Sequence, residues 1–417
     1  MPSDVHTASV DHAFFLPLDG LAAASPHALA CREFPDDAFI RLGIQRVLEL
    51  SPSGRGFLQE HGPRFPDVPG HANYFASLGS PRRLEVLRDV GRALVRAADP
   101  VLTDRLAGIP ELERYACFAA DGHWHKAAAH DPRHDGVKMA VGHFYGLNLR
   151  THTLRHLAAA EGLHENDMSA LKRIKPKGLR QGVPKGTRVI IVYDKAGIDF
   201  GYWDRCRREC ALFFISRVKE NMVYDWIEDK PVDATDARNH GVVADSRICT
   251  REGHLLRIVR HTDPVGGENY EFLTNVMDLP AGVVAELYRR RWEAEKVFDE
   301  IKNRLAEKKA WASSLTGKET QAQLIVLTHN LLLLYGQRLE NEHGITNRAE
   351  DLRREQRTDQ AAKLCAIKGL VLPALVQAAK RASQHSLKFI RRLRRSLRDK
   401  LTEHAALPLL RTLYASS

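Results

Sequence analysis

The sequence predicts an α/β fold: a mixed sheet flanked by helices and interrupted by a β-rich insertion, set between a helical N-terminal part and a helical C-terminal extension. Three observations predict it. The runs "VIIVYD", ending at Asp194, and "ALFFIS" at 211–216 have the continuous apolar character of strands buried on both faces. Upstream, "RYACFAADG" and "HFYGLNLRT" look like sheet, the second with Tyr145, Leu147, Leu149 and Thr151 alternating on one face. Third, "LYRRRWEAEKVFDEIKNRL", Leu287 to Leu305, has helical periodicity, with Leu287, Phe298, Ile301 and Leu305 in one apolar stripe.

Taken in order, residues 1 to about 110 are expected to be helical. In "SPRRLEVLRDVGRALVRAADP", Ser80 can cap, Pro81 suits the first helical position and Pro100 stops the helix. Leu84, Leu87, Leu94 and Val95 form its core stripe. Arg88, Arg92 and Arg96 recur on another face, which suits either a phosphate backbone or a solvated charged surface. The stretch "KRIKPKGLRQGVPKGTR" gathers seven Lys or Arg among Pro and Gly and is expected to be a loop. From 218 to 280, "GVVADSRICT", "HLLRIVRHT" and "YEFLTNVMD" suggest short strands. The C-terminal "SLKFIRRLRRSLRDKL" carries Arg391, Arg392, Arg394, Arg395 and Arg398 around Leu393 and Leu397, a basic amphipathic helix suited to DNA backbone or to solvent.

Composition narrows the partners. A chain of 417 residues with 62 Lys and Arg against 52 Asp and Glu carries a net charge of +10, which favours polyanions. Its six cysteines include no C-x2-C pair, so a reducing cytosol is expected, without a disulfide framework or zinc ribbon. The stretch "AFFLPLDGLAAASPHALAC" has no basic lead and is interrupted by Pro17, Asp19 and Pro26, so it is not expected to be a signal. "LIVLTHNLLLLY" falls short of the roughly 20 residues that span a bilayer and is expected to be a buried helix, leaving no membrane partner.

The chemistry lies in the Leu287–Leu305 segment. Tyr288, Arg291, Glu295 and Lys302 fall at roughly 0°, 300°, 340° and 320° on a helical wheel of about 100° per residue, one narrow arc. Asp121 in the "YACFAAD" strand and Asp194 at the end of "VIIVYD" could meet Glu295 if the two strands are neighbours and the helix crosses them. Three such carboxylates repel one another. Two divalent cations about 3.5 to 4 Å apart remove that repulsion and activate a water or 3′-hydroxyl. Oxygen ligands favour magnesium or manganese over zinc, and Arg291 and Lys302 would hold phosphate oxygens. Each residue has a plainer reading. Asp121, before Gly122, could be a turn residue, Asp194 a strand-end Asp, Glu295 an i,i+4 partner of Arg291, and Tyr288 core edge. Trp292, beside the arc, could pack in the core or stack on an unpaired base. The histidines of "DGHWHKAAAHDPRHDG" lack a second ligand pair and suggest a polar DNA-facing loop rather than zinc.

Tyr288, Arg291, Glu295 and Lys302 reproduce the Y-x2-R-x3-E-x6-K motif, and on these residues the chain resembles the insertion-sequence DDE transposases. "ADG" at 120–122 resembles that family's first-aspartate motif, "VYDKAGIDF" at 192–200 its second, and the likeness covers roughly 113 to 335. His123 and Lys195 depart from the family pattern without removing a candidate ligand. The resemblance implies a ribonuclease-H-like core and an enzyme of cut-and-paste DNA transposition, cytoplasmic and nucleoid-associated in a bacterium. It would bind the terminal inverted repeats of double-stranded DNA, cleave there and join the 3′ ends to target DNA. Asp121, Asp194 and Glu295 would be catalytic and hold two Mg2+ or Mn2+, with Tyr288, Arg291 and Lys302 on DNA phosphates and a homodimer in the DNA complex. The implied division is 1–110 helical and DNA-binding, 111–217 and 281–345 the two parts of the catalytic core, 218–280 the β-rich insertion, and 346–417 a basic helical region. A catalytically silent DNA-binding regulator and a nuclease on the same fold are the alternatives.

Overall fold

The computed structural model describes residues 9–49, 53–61, 70–125, 128, 133–134, 137–138, 141–160, 165, 167–194, 199–305, 309–345, 348–373 and 387–415. The N-terminal part is helical: α1 (Val10–Phe15), α2 (Asp36–Leu48), α3 (Gly54–His61), α4 (His71–Leu78) and α5 (Pro81–Ala98). The Ser80 side chain accepts the Arg83 N–H at the start of α5, and Leu84, Leu87 and Leu94 are buried along it. Arg88 pairs with Glu85 and Glu319, and Arg92 with Asp89, so two of the three arginines on the expected basic row are already neutralised within the protein.

The strands and their connections follow: β1 (Tyr115–His125), β2 (Arg133–His134), β3 (Val137–Lys138), β4 (Val141–Asn148), β5 (Leu154–Ala159), α6 (Asp167–Leu179), β6 (Arg188–Val192), α7 (Phe200–Cys210) and β7 (Leu212–Arg217). Next come β8 (Tyr224–Asp229), β9 (Val242–Thr250), β10 (Leu255–Thr262) and β11 (Asn269–Thr274), then α8 (Ala281–Arg290), α9 (Trp292–Arg304), α10 (Leu315–His343), α11 (Arg348–Ile367) and the helices Leu387–Arg398 and Glu403–Ala415. A nine-stranded sheet runs β5–β4–β1–β6–β7–β11–β10–β9–β8, with β2 and β3 forming a separate two-stranded sheet. The β1–β6 and β6–β7 pairs are parallel; the other neighbours in the large sheet are antiparallel. Strands β8 to β11 thus continue the sheet beyond β7. At its outer edge β8 leaves Trp226 and Ile227 exposed among Asp225, Glu228 and Asp229.

Alternation along the strands builds two cores. Cys117 and Ala119 of β1, Ile190 and Val192 of β6 and Ile215 of β7 join a core shared with α8, α9, α10 and the N-terminal helices. Phe118, Ala120, Val189, Ile191 and Phe214 face the other way, onto α6 and α7. α9 lies over β1, where the His123 ring meets Phe298 at 5.4 Å between centroids. "LIVLTHNLLLLY" lies inside α10, with Leu324 to Leu332 buried. Among the described residues no helix is long and apolar enough to cross a membrane.

Two expectations need correction. The basic stretch expected to be a loop is helical as far as Leu179, because α6 takes in its first half and kinks only at Lys175 (φ 64°, ψ 150°), next to Pro176. A residue before proline is pushed away from helical ψ, which fits the ψ of 150° at Lys175. The motif segment is also two helices, not one. Arg291 joins α8 to α9 through a tight turn in which the Arg291 N–H bonds to the Tyr288 carbonyl and the Ala294 N–H to the Arg291 carbonyl.

The start of α8 is fixed by a close approach. The Gly282 N–H donates to Asn239 Oδ1 at 2.9 Å, and a Cβ at Gly282 would stand 1.8 Å from the Arg238 carbonyl oxygen. Alanine would gain up to about 1 kcal/mol of helix propensity, but the overpacking costs about 3 kcal/mol. Gly282→Ala is therefore expected to destabilise the protein by about 2 kcal/mol, measured as a lower urea midpoint at unchanged slope; an unchanged midpoint contradicts the packing described.

Candidate active site

Asp121 lies inside β1, opposite Tyr145 of β4, with Gly122 paired to Phe144 beyond it. The strand continues past the acid, so Asp121 is a strand residue and not a turn former. Asp194 lies two residues past the end of β6. The parallel register sets Ala119 of β1 against Val192 of β6, so two residues further on Asp121 and Asp194 stand level on neighbouring chains. Ile215 holds the chain there by accepting the Tyr193 N–H, and the Ser216 hydroxyl donates to the Asp194 carbonyl at 3.3 Å.

The third acid comes from α9; one guanidinium joins it to Asp121, and a phenol hydroxyl beside it reaches Asp194. Arg291 Nη2 lies 2.9 Å from Glu295 Oε1 and Nη1 lies 3.5 Å from Asp121 Oδ2. The Tyr288 hydroxyl donates to Asp194 Oδ1 at 3.4 Å. Burial alone would lower the Arg291 guanidinium, but the charges of Asp121, Glu295 and Asp194, joined by the Tyr288 phenolate once that group ionises in strong alkali, outweigh it and raise it above its ordinary value. Burial, reinforced by the Asp194 charge and opposed by Arg291, pushes the Tyr288 phenol up to about 12, so it stays a protonated donor at neutral pH.

Exposure separates the roles. Arg291 and Tyr288 are buried, whereas Glu295 is 46% exposed at its side chain and can turn toward a ligand. Trp292 is 59% exposed, which removes the core-packing reading for it. Lys302 lies on α9, with its side chain outside the described residues. So do residues 195–198, which include Lys195, and the histidine at position 130. Among the described residues no three His, Cys, Asp or Glu side chains are grouped closely enough to hold one ion as they stand, since Asp121, Asp194 and Glu295 are linked through Arg291 and Tyr288.

Beside the acids opens a groove lined by Asp194, Arg217, Tyr270, Tyr288, Arg291 and Trp292. Tyr270 stacks on Phe272 at 6.0 Å and 8°, and Phe272 meets Tyr288 at 4.9 Å. In the sequence, Tyr270 and Phe272 were legible only as strand residues of "YEFLTNVMD". Behind the acids, α9 buries Glu293 against His152 of the β4–β5 turn. Glu293 is held below the ordinary glutamate range, because His152, Arg290 and Arg289 outweigh the upward push of burial. Neither residue could be picked out by spacing, since they are 141 positions apart.

Comparison with known proteins identifies the family. The family model described as "Transposase DDE domain" matches residues 116–331, which span β1, β6 and α9 and hence all three acids. A protein of Sinorhizobium fredii (strain NBRC 101917 / NGR234) described as "Putative transposase y4zB" is 28% identical over 122 residues, a stretch that covers 27% of this chain and only 33% of that protein's own length. The mixed nine-stranded sheet with its helices is consistent with the ribonuclease-H-like fold of such transposases. Because the family model takes in more than half of the 417 residues, this chain belongs to the transposase DDE domain family.

Proposed function

We propose that the protein is the transposase of a bacterial insertion sequence, which binds the terminal inverted repeats of its element, cuts DNA there and joins the freed 3′ ends to target DNA. The observation that carries this reading is the meeting of β1, the end of β6 and α9 at Arg291. The donor set, three carboxylates around a point that already draws positive charge, fits hard divalent cations such as Mg2+ or Mn2+. Asp121, Asp194 and Glu295 would hold them. A bound pair supplies an activated water or 3′-hydroxyl and stabilises the leaving oxygen.

The chain's own residues do the rest. Arg291 neutralises the carboxylates in the DNA-free protein, and its planar fork equally suits two oxygens of a phosphodiester. Divalent cations at the acids would release it for that use. Tyr288, protonated at neutral pH, donates its hydroxyl to Asp194, and Lys302 would add a point charge for the DNA backbone. Trp292 offers an exposed ring on the groove wall for an unpaired base. The helical region 1–110 and the basic helices of 346–417 would select and hold double-stranded DNA on either side of the core, with 111–217 and 281–345 as its two parts and 218–280 inserted between them. Two element ends require two active sites, hence a homodimer on DNA in the bacterial cytoplasm.

Asp121→Asn is expected to abolish Mg2+-dependent strand cleavage of duplexes carrying the element's ends while leaving their binding measurable by gel shift; retained cleavage overturns the reading. If the wild type binds these ends but never nicks them, the protein is a DNA-binding regulator, and if it cuts any duplex alike, it is a nuclease. Binding should also weaken steeply with salt, each neutralised phosphate contributing roughly −0.9 to the slope of log K against log salt. A flat titration would exclude the basic helices as DNA contacts.

A further inference from the structure

We propose that His152 is a positioning residue that, through Glu293, aims α9 and thereby Glu295 at the two aspartates; this rests on the reading of Glu295 as a member of the active site. At the junction before α9, Arg291 keeps helical backbone (φ −52°, ψ −36°), and its guanidinium ties only the groove side of the first turn, through Glu295. Arg291 makes no side-chain cap there, and the chain passes from α8 to α9 through a single tight turn. Such a junction can bend unless something pins the first turn of α9.

Glu293 is that pin. It lies two residues before Glu295, about 200° round the helix, so one points into the protein when the other points toward the groove. Its Oε2 meets His152 Nε2, and both side chains are almost completely buried. Burial holds the His152 ring down to about 4, so at neutral pH it is uncharged, with Nε2–H donating to the Glu293 carboxylate. A buried polar pair of this kind adds little stability over an apolar one, and its attested benefit is a fixed register.

His152 is itself held from the other side. Its φ of 61° is left-handed, a conformation that non-glycine residues take up only where surroundings impose it. Those surroundings are α10. His329 Nε2–H donates to the His152 carbonyl at 3.0 Å, while Asn330 accepts the Leu154 N–H at 2.8 Å and donates to the Leu154 carbonyl at 3.1 Å. Within the turn, the His152 N–H bonds to the Asn148 carbonyl at 2.8 Å. One rigid turn, clamped by α10 and continuous with β4, which pairs with the Asp121 strand, therefore presents an imidazole to α9. The first turn of α9 and the strand bearing Asp121 are thus referred to the same fixed point.

The test uses the full chain and four variants: His152→Ala, Glu293→Ala, Glu293→Gln and Glu295→Gln. Hydrogen exchange followed by mass spectrometry should show α9 peptides exchanging at least tenfold faster in His152→Ala and Glu293→Ala, with β6 peptides unchanged. Glu293→Gln, which still accepts the imidazole N–H, should restore wild-type protection. Glu295→Gln should leave protection alone. In parallel, Mg2+-dependent cleavage should fall at least tenfold in the two alanine variants and recover in Glu293→Gln, while the Kd for a 40-bp duplex stays within about threefold of the wild type. Unchanged α9 exchange in both alanine variants overturns the proposal, as does an equal rise in β6. Should the wild type cut no DNA, the transposase reading fails, and the exchange comparison still decides whether His152 aims α9.

Discussion

The site depends on one constraint: three carboxylates from remote parts of the chain cannot approach one another without positive charge between them. Arg291 supplies that charge. Its position at the joint between α8 and α9 brings the second helix to the sheet, because the guanidinium reaches Asp121 on β1 and Glu295 one turn along α9. The rest of the core serves this meeting. Parallel pairing sets Asp121 and Asp194 level, and α9 lies across the strand that carries Asp121. On the reading proposed above, a buried arginine among acids would also be reversible in a way an apolar contact is not, since cations and phosphate together would offer each group a replacement partner.

What the sequence made legible follows from how local each signal is. The buried strands β6 and β7 announce themselves in continuous β-branched and aromatic runs, and Ser80-Pro81 marks the start of α5 without help from distant contacts. The Tyr288, Arg291 and Glu295 arc was legible because its members are near neighbours along a helix. The break at Arg291 was not, because no Pro or Gly marks it; tertiary contacts decide it. The kink at Lys175 shows the opposite error, where Pro and Gly suggested a loop although α6 packs on the sheet and stays helical on both sides of the break.

Pairs far apart in sequence stayed hidden for a plain reason: no periodicity links His152 to Glu293, or Asn330 to the start of β5. They are found only when the hairpin turn, α9 and α10 converge. The same holds for Tyr270 and Phe272, whose place beside the acids follows from the continuation of the sheet past β7 and from α8 packing back over it.

That continuation leaves a free border. β8 exposes Trp226 and Ile227 on a strand with no neighbour beyond it among the described residues, a surface that invites another chain to add to the ladder. Asp225, Glu228 and Asp229 share that border, so an identical copy laid against it would bring like charges face to face. Glu228 is already paired with Arg247, so it falls to Asp225 and Asp229 to discourage such an addition, charge on an edge strand being a common device against fibrous growth.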